Sequence, residues 1–272
     1  MASGTAFARH TAQLSRGPLD YFVAGEGRDA IYLHAAAGLD IRSVAERLAR
    51  SFRVWVPIVP GYEGTPILPG VDTIPAVADL LAELIDSRMK APCDVAGHSM
   101  GARVAAWLAI QHPDKVDQLA LMAPAGFRPA GAAPLAFDAD SMLKQLYAHP
   151  ERRPAPKPAH LLEANKAAMR HYGVGQPRDE ALAARIGEIR ALTLVLQGTE
   201  DVRVPPQAVQ EIKGRVKNAQ LVYVYDAAHA LEVDQPERVA SLVHDFFQRG
   251  EVFIVNTGGS YQRGAAVDQQ PA

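Results

Sequence analysis

The chain has 272 residues, 48% of them hydrophobic and 21% charged, and its formal net charge at pH 7 is −2. A chain of this size and composition can bury a substantial core, as one large domain or two smaller ones. The small net charge and the lack of a basic stretch argue against nucleic acid as a partner, and the single cysteine, Cys93, excludes an internal disulfide framework. The N-terminal residues lack the apolar core of a signal peptide, and no apolar run is long enough to cross a bilayer. We therefore expect a cytoplasmic protein with no membrane partner.

Short apolar runs bounded by turn residues predict an α/β fold built on a central sheet of about eight strands. Residues 5–24 are predicted to form a β-meander at the edge of this sheet, with its turn at Ser15–Pro18. The other strands are predicted at Ala30–His34, Arg53–Val59, Cys93–Ala96, Gln118–Ala123, Leu192–Gln197 and Leu221–Tyr225.

Helical patterns separate most of these strands. One helix is expected to begin at Asp40 as its N-cap, and another is expected to be capped by Thr73 and to continue through Leu84, with Pro75 in its first turn. The remaining helices of this kind are predicted at Ala102–Ile110, Pro205–Val216 and Pro236–Phe247. Strands that alternate with helices at this spacing imply right-handed crossovers and a mostly parallel sheet with helices on both faces.

The alternation stops between residues 127 and 189, where no strand is predicted. This segment contains helical patterns separated by proline-rich connectors, at Asp140–His149, Ala159–Tyr172 and Asp179–Arg190. An all-helical insertion in an α/β chain is best interpreted as a lid or cap over the functional site. Its excess of Lys and Arg over Asp and Glu would favour an anionic substrate, although charges on helices are usually solvated surface.

These patterns divide the chain into three parts. The α/β core is predicted to comprise residues 1–126 and 190–249, and the helical cap residues 127–189. Residues 250–272 are expected to be a flexible tail. An apolar run within it, Val252–Val255, could instead add an edge strand.

The sequence Gly97-His98-Ser99-Met100-Gly101 lies between a predicted strand and a predicted helix. A serine on so tight a turn has a strained backbone, and the residues two before and two after it come too close for side chains. The turn projects the Ser99 hydroxyl above the sheet, and the following helix directs its positive N-terminus at the site. The motif therefore indicates a serine nucleophile.

In an open parallel sheet, functional groups collect in the loops that follow the carboxyl ends of the strands. Such loops carry Ser99, Asp201 and His229, in that order along the chain. This order resembles that of the α/β-hydrolase superfamily, in its serine hydrolase branch with a helical cap, and the resemblance spans about residues 10–249. The motifs that carry it are GHSMG at 97–101, QGTEDVRVP at 197–205 and DAAHALEVDQPERV at 226–239.

The resemblance and the chemistry together give each of these residues a role. A serine hydroxyl is a poor nucleophile near neutral pH, so Ser99 needs a neutral imidazole to take its proton, and His229 is the candidate base. Asp201 is the candidate carboxylate that fixes the tautomer of the imidazole and stabilises the imidazolium. Glu200 is the nearest alternative acid. The first carboxylate after the preceding strand, Asp138, is distant from it in sequence.

An oxyanion hole needs two backbone N–H groups aimed at the developing negative charge. Met100 follows the nucleophile and is expected to supply one. The resemblance implies that the loop after His34 supplies the other, from Ala36 or, as second candidate, Ala35, although the family usually has a glycine directly after the histidine. His34 is expected to shape this loop through hydrogen bonds, and His98 to point away from the Ser99 side.

Substrate contacts are predicted at Tyr62, in a loop that borders the site, and at Tyr147 on the cap. Neither a cofactor nor a metal is expected, because no His, Cys or Asp cluster has ligand spacing and the Gly-rich phosphate-binding motifs are absent. The partner is expected to be a small-molecule substrate, and the sequence leaves a homodimer open.

The sequence thus predicts a carboxylesterase-like serine hydrolase that cleaves a small ester through an acyl-enzyme on Ser99. A hydrolase of carbon–carbon bonds in diketones is the leading alternative with the same triad, and a lactonase, amidase or perhydrolase would also retain it. A non-catalytic ligand receptor on the same fold is the alternative from another class. A cofactor-independent oxygenase, which would depend on His229 but not on Ser99, is a further one.

Overall fold

The computed structural model describes residues 6–135 and 138–254. Its strands form one sheet, in the order β1-β2-β4-β3-β5-β6-β7-β8. The strands are β1 (Ala8–Leu14), β2 (Gly17–Ala24), β3 (Arg28–Leu33), β4 (Phe52–Pro57), β5 (Cys93–His98), β6 (Val116–Met122), β7 (Leu192–Gly198) and β8 (Ala219–Val224). The first two pair antiparallel at one edge, and β3 to β8 are parallel to one another. The predicted fold class is therefore confirmed.

Helices cover both faces of the sheet. They are α1 (Ser43–Leu48), α2 (Ile74–Arg88), α3 (Met100–Gln111), α4 (Ala139–Leu146), α5 (Ala159–His171), α6 (Glu180–Arg185), α7 (Pro206–Arg215), α8 (Leu231–Asp234), α9 (Pro236–Arg249) and α10 (Glu251–Ile254). Buried residues of α2, α3 and α7 form one apolar core with one face of the sheet, and those of α1 and α9 form another core with the opposite face. None of the helices in the described ranges is long and apolar enough to span a membrane.

The structure confirms one predicted helix N-cap and contradicts another. The Thr73 hydroxyl accepts a hydrogen bond from the Ala76 N–H, so the predicted N-cap of α2 is confirmed. The prediction of Asp40 as an N-cap is wrong, because α1 begins only at Ser43. The Asp40 carboxylate instead accepts a hydrogen bond of 2.6 Å from Nε of Arg42.

The segment between β6 and β7 contains α4, α5 and α6, and among its described residues an isolated β-bridge joins Phe127 to Arg178. At the other end of the chain, the apolar run that could have added an edge strand instead begins with a helical turn, α10. The rest of the predicted flexible tail, residues 255–272, lies outside the described residues.

The two glycines of the elbow leave no room for a side chain. A Cβ on Gly97 would lie 2.3 Å from the Gly101 carbonyl oxygen, and one on Gly101 would lie 2.2 Å from the Leu33 carbonyl oxygen. Since the obstructing atoms are backbone, they cannot move aside without shifting β3 or α3. The sequence motif is thus a packing requirement of this strand–helix junction.

We expect Gly101→Ala to lower the free energy of unfolding by about 3 kcal/mol or more, because overpacking against rigid backbone forces the junction apart. Urea unfolding followed by circular dichroism measures this. Gly214→Ala is the matched control: Gly214 lies in α7 with open space at its Cβ position, so alanine should stabilise the protein by about 0.5–1 kcal/mol. Equal stability of the two variants would contradict the packing argument.

Candidate active site

Ser99 occupies the turn between β5 and α3 with a backbone that non-glycine residues rarely adopt, at φ 54° and ψ −108°. The turn is held by hydrogen bonds from the Ser99 N–H to the Met122 carbonyl (2.8 Å) and from the Arg103 and Ala125 N–H groups to the Ser99 carbonyl. Such strain persists only where the surrounding structure enforces it. The side chain is thereby fixed above the carboxyl end of β5, at the N-terminus of α3.

The structure brings the side chains of Ser99, His229 and Asp201 into one hydrogen-bonded chain. Nε2 of His229 lies 2.9 Å from Oγ of Ser99, and Nδ1 of the same ring lies 2.9 Å from Oδ2 of Asp201. All three residues are buried, and Ser99 retains 8% of its accessible surface. The geometry allows Nδ1–H to donate to the carboxylate, which leaves Nε2 free to accept the serine proton.

Both oxygens of the Asp201 carboxylate have hydrogen-bond partners. Oδ1 accepts hydrogen bonds from the backbone N–H groups of Arg203 (2.8 Å) and Val204 (3.0 Å), while Oδ2 faces His229. Burial alone raises the pKa of Asp201, but the charge and hydrogen bond of His229 and the two N–H groups outweigh it, so the pKa lies below its usual value. The carboxylate is therefore ionised at neutral pH and cannot rotate freely.

A close backbone approach brings the acid and base loops together. A Cβ on Gly198, at the end of β7, would lie 2.4 Å from the carbonyl oxygens of both Ala227 and Ala228, so the loop that carries His229 packs directly on the glycine. The alternative acid, Glu200, is exposed to solvent. The other carboxylate considered, Asp138, is also exposed and caps the N-terminus of α4 through the Ser141 N–H.

The two predicted oxyanion donors lie on the turns that follow β3 and β5. Met100 is the first residue of α3, and Ala36 lies in the loop that follows β3. Within the described ranges, neither N–H group donates a backbone hydrogen bond. Both groups are therefore available to a substrate oxygen. Their joint position on one oxyanion is part of the proposal below.

His34 supports the loop that carries Ala36, as expected. Its Nδ1 lies 2.8 Å from the Ala35 carbonyl oxygen, and its Nε2 accepts from the Val59 N–H at 3.2 Å. These partners require Nδ1 to carry the proton. Burial lowers the pKa of His34 to about 4, so the ring is neutral near pH 7 and holds the loop without adding charge.

The two tyrosines predicted to contact substrate have different positions. Tyr62 has no exposed surface, and its hydroxyl donates to Sδ of Met100 at 3.1 Å. Its prediction as a substrate contact is wrong, because the ring packs beneath the elbow, edge-on to His34. Tyr147 does line a cavity of about 200 Å³ next to the site.

This cavity lies on the His98 side of the nucleophile and is called the His98-side cavity below. The residue before Ser99 and the residue after His229, Ala230, both contribute to its wall, as does the loop after β3. The His98 ring lies 5.4 Å from the His229 ring, and its Nε2 lies 2.8 Å from the His229 carbonyl oxygen. His98 therefore holds the backbone of the candidate base.

Sequence reasoning missed two acids of the motif that contains His229. Asp234 is fully buried and accepts hydrogen bonds from the N–H groups of Ala228, Ala148 and His149, which ties the histidine loop to the segment after α4. Glu232 lines the His98-side cavity and accepts a hydrogen bond of 2.6 Å from the Tyr32 hydroxyl. Acidic residues at a helix start normally favour solvent and the helix dipole, so the sequence carried no signal for either role.

Another acid, Glu63, connects the helical insertion to the loop that carries Ala36. Its carboxylate accepts hydrogen bonds from the Leu39 N–H (2.9 Å) and from the Asn165 side-chain amide on α5 (3.0 Å). The Lys157 ammonium lies 2.9 Å from the same oxygen. The insertion is thus anchored directly beside the candidate oxyanion hole.

A mostly parallel sheet with a serine on the strand–helix turn after β5 defines the class of α/β hydrolases. Residues 22–242 match the sequence profile of the alpha/beta hydrolase family, and the protein belongs to that family. It is therefore a hydrolase of the α/β fold.

The relatives of this chain are named for different activities. A pimeloyl-acyl-carrier-protein methyl ester esterase of Neisseria meningitidis is 30% identical over 227 residues, which cover 75% of this chain and 86% of that protein. A 2-hydroxy-6-oxo-6-phenylhexa-2,4-dienoate hydrolase of Comamonas testosteroni is 23% identical over 273 residues, or 85% of this chain and 91% of that protein. Among solved structures, a thermophilic esterase from Thermogutta terrifontis superposes with a TM-score of 0.71 at 22% identity, over 91% of this chain and all of that one (100%).

Proposed function

We propose that the protein is a serine esterase that cleaves a small carboxylic ester. The observation that carries this proposal is the hydrogen-bonded chain from Ser99 Oγ through both nitrogens of His229 to Asp201, with 2.9 Å at each link. This arrangement activates a serine hydroxyl for attack on a carbonyl carbon.

In the proposed reaction, Ser99 Oγ attacks the ester carbonyl while its proton passes to Nε2 of His229. The tetrahedral oxyanion accepts hydrogen bonds from the N–H groups of Met100 and Ala36. Collapse of this intermediate breaks the bond to the alcohol, which leaves with the proton from His229. Water then attacks the acyl-enzyme with the same histidine as base and releases the acid.

We further propose that residues 127–189 act as a cap over this site. The hydrogen bonds of Asn165 on α5 to Glu63 and to the Ala37 carbonyl support this, because they join the insertion to the loop beside Ser99. The segment's Tyr147 and Lys157 also line the His98-side cavity. A cavity of about 200 Å³ suits a small acyl or alcohol group.

The choice of an ester over a dienoate rests on charge. A dienoate carboxylate placed in the His98-side cavity would need a free cation there to pair with. Arg42 and Lys157 are the cations lining the His98-side cavity, and both are paired, with Asp40 at 2.6 Å and Glu63 at 2.9 Å. The ester named for the Neisseria relative is consistent with this choice.

Pre-steady-state kinetics with p-nitrophenyl acetate test the proposal. We expect a burst of one p-nitrophenolate for each protein chain, because aryl esters acylate serine hydrolases faster than the acyl-enzyme is hydrolysed. Acid quench followed by peptide mass spectrometry should place one acetyl group on Ser99. An acetyl group found elsewhere, or steady turnover without any acyl adduct, would contradict the mechanism. No turnover with this or longer-chain esters would favour a receptor.

A further inference from the structure

One wall of the His98-side cavity is built from polar side chains that the proposed reaction does not use. The Tyr32 hydroxyl donates to Oε2 of Glu232 at 2.6 Å, and Nδ1 of His98 lies 3.6 Å from the same oxygen. The Glu232 side chain retains 11% of its accessible surface, and that of His98 also 11%. The three residues come from β3, β5 and α8, so the tertiary fold alone brings them together.

Glu232 is also the one acid without a cationic partner among the described residues that line this cavity. Asp40 is paired with Arg42, and Lys157 is paired with Glu63 and donates to the Leu39 carbonyl at 2.7 Å. The nearest ring, that of His98, is neutral at pH 7, since burial lowers its pKa to about 4. An ionised Glu232 therefore has hydrogen bonding from Tyr32 but no charge to balance it.

We propose that Glu232, together with Tyr32 and His98, forms a subsite that binds an ammonium or hydroxyl group of the substrate and rejects a carboxylate. A donor group at this position would satisfy the free lone pairs of Glu232, whereas an anion would meet a like charge in a partly desolvated cavity. This inference rests on the proposed function, because the subsite serves a substrate whose carbonyl is held at Ser99.

The subsite should discriminate more strongly as the pH rises. Burial raises the pKa of Glu232 to about 7, with a smaller contribution from the charge of Asp40 and an opposing one from the Tyr32 hydrogen bond. Burial also lowers the pKa values of His34 and His98 to about 4, and burial raises those of Tyr32 and Tyr147. Of these groups, Glu232 is therefore the one expected to change its charge between pH 6 and pH 8.

Binding to the Ser99→Ala protein tests the subsite without hydrolysis. Isothermal titration calorimetry would compare methyl 6-aminohexanoate, methyl 6-hydroxyhexanoate and monomethyl adipate, which differ in the group at the end of a six-carbon chain. The free carboxyl titrates near pH 4 and the ammonium near pH 10, so neither probe changes its charge in the tested range (about pH 6 to 8). At pH 8 we expect Kd for the amino ester to be lower than that for monomethyl adipate by roughly tenfold or more. The hydroxy ester should lie between them, and the ratio should shrink at pH 6.

Two control variants distinguish the charge of Glu232 at the subsite from the overall charge of the protein. Adding Glu232→Gln should bring the ratio of the Kd values close to one at both pH values, whereas adding Glu237→Gln, on the exposed first turn of α9, should leave it unchanged. A ratio that Glu232→Gln does not alter, or no measurable binding of any probe, overturns the subsite. If the wild-type protein forms no acyl-enzyme but these ratios are observed, the proposed esterase activity fails and the subsite stands.

Discussion

Replacing Ser99 by alanine is expected to lower kcat/KM for p-nitrophenyl acetate by about 10⁵-fold or more. The variant removes the atom that forms the acyl-enzyme, while His229 and Asp201 keep their hydrogen bond to each other. Alanine has the same Cβ and the same backbone restrictions as serine, so the strained turn at φ 54° should be retained. Steady-state kinetics measure the loss, and thermal unfolding verifies that the protein remains folded.

Ser87→Ala is the matched control for this variant. Ser87 is an exposed residue of α2 whose hydroxyl donates only to the Leu84 carbonyl of its own helix, at 3.1 Å. Its replacement should leave kcat/KM within twofold of the wild type. If Ser99→Ala retained more than a few per cent of the wild-type activity, a second nucleophile or a direct attack by water would have to replace the acyl-enzyme mechanism.

The fold was predictable because its determinants are local. Apolar runs of strand length, turn residues between them and the spacing of the elbow glycines each constrain the backbone over only a few residues. Gly97 and Gly101 are informative in this way, because any side chain there would collide with backbone. The cap at Thr73 was predictable for the same reason, whereas Asp40 was misassigned because its ion pair with Arg42 competes with capping.

Much of the site depends on packing between distant segments, which sequence patterns do not encode. Tyr62 lies in a polar, turn-rich loop, but the fold buries its ring beneath Met100. Glu232 lies next to β3 and β5 only after α8 has packed on the sheet, and its contact with Tyr32 spans 200 residues of sequence. His98 ends β5, and only the tertiary fold brings its ring to the loop that carries His229. Tertiary contacts decided each of these positions.

Replacing Asp201 by asparagine is expected to lower kcat for ester hydrolysis by about 10⁴-fold. The reason lies in the two N–H groups of Arg203 and Val204, which donate to Oδ1. They would select the rotamer of asparagine that keeps its oxygen towards them, so its NH₂ group would face Nδ1 of His229. Nδ1 must then accept, and Nε2 must carry the proton. In that tautomer the ring cannot take the proton of Ser99.

The pair Asp201→Asn and Glu200→Gln distinguishes this tautomer effect from a loss of negative charge near the site. Glu200 is the neighbouring acid, it is exposed, and its N–H donates to the Ala227 carbonyl, a bond that glutamine would keep. Glu200→Gln removes the same charge one residue away, so it should change kcat by less than about threefold, as expected for an exposed and screened charge.

A large loss in Glu200→Gln with a small one in Asp201→Asn would assign the acid to Glu200. Comparable small losses in both would mean that the His229 tautomer is set by something other than either carboxylate. The hydrogen-bonding of Oδ1 argues against both outcomes, because it fixes the Asp201 carboxylate in the one orientation that presents Oδ2 to the imidazole.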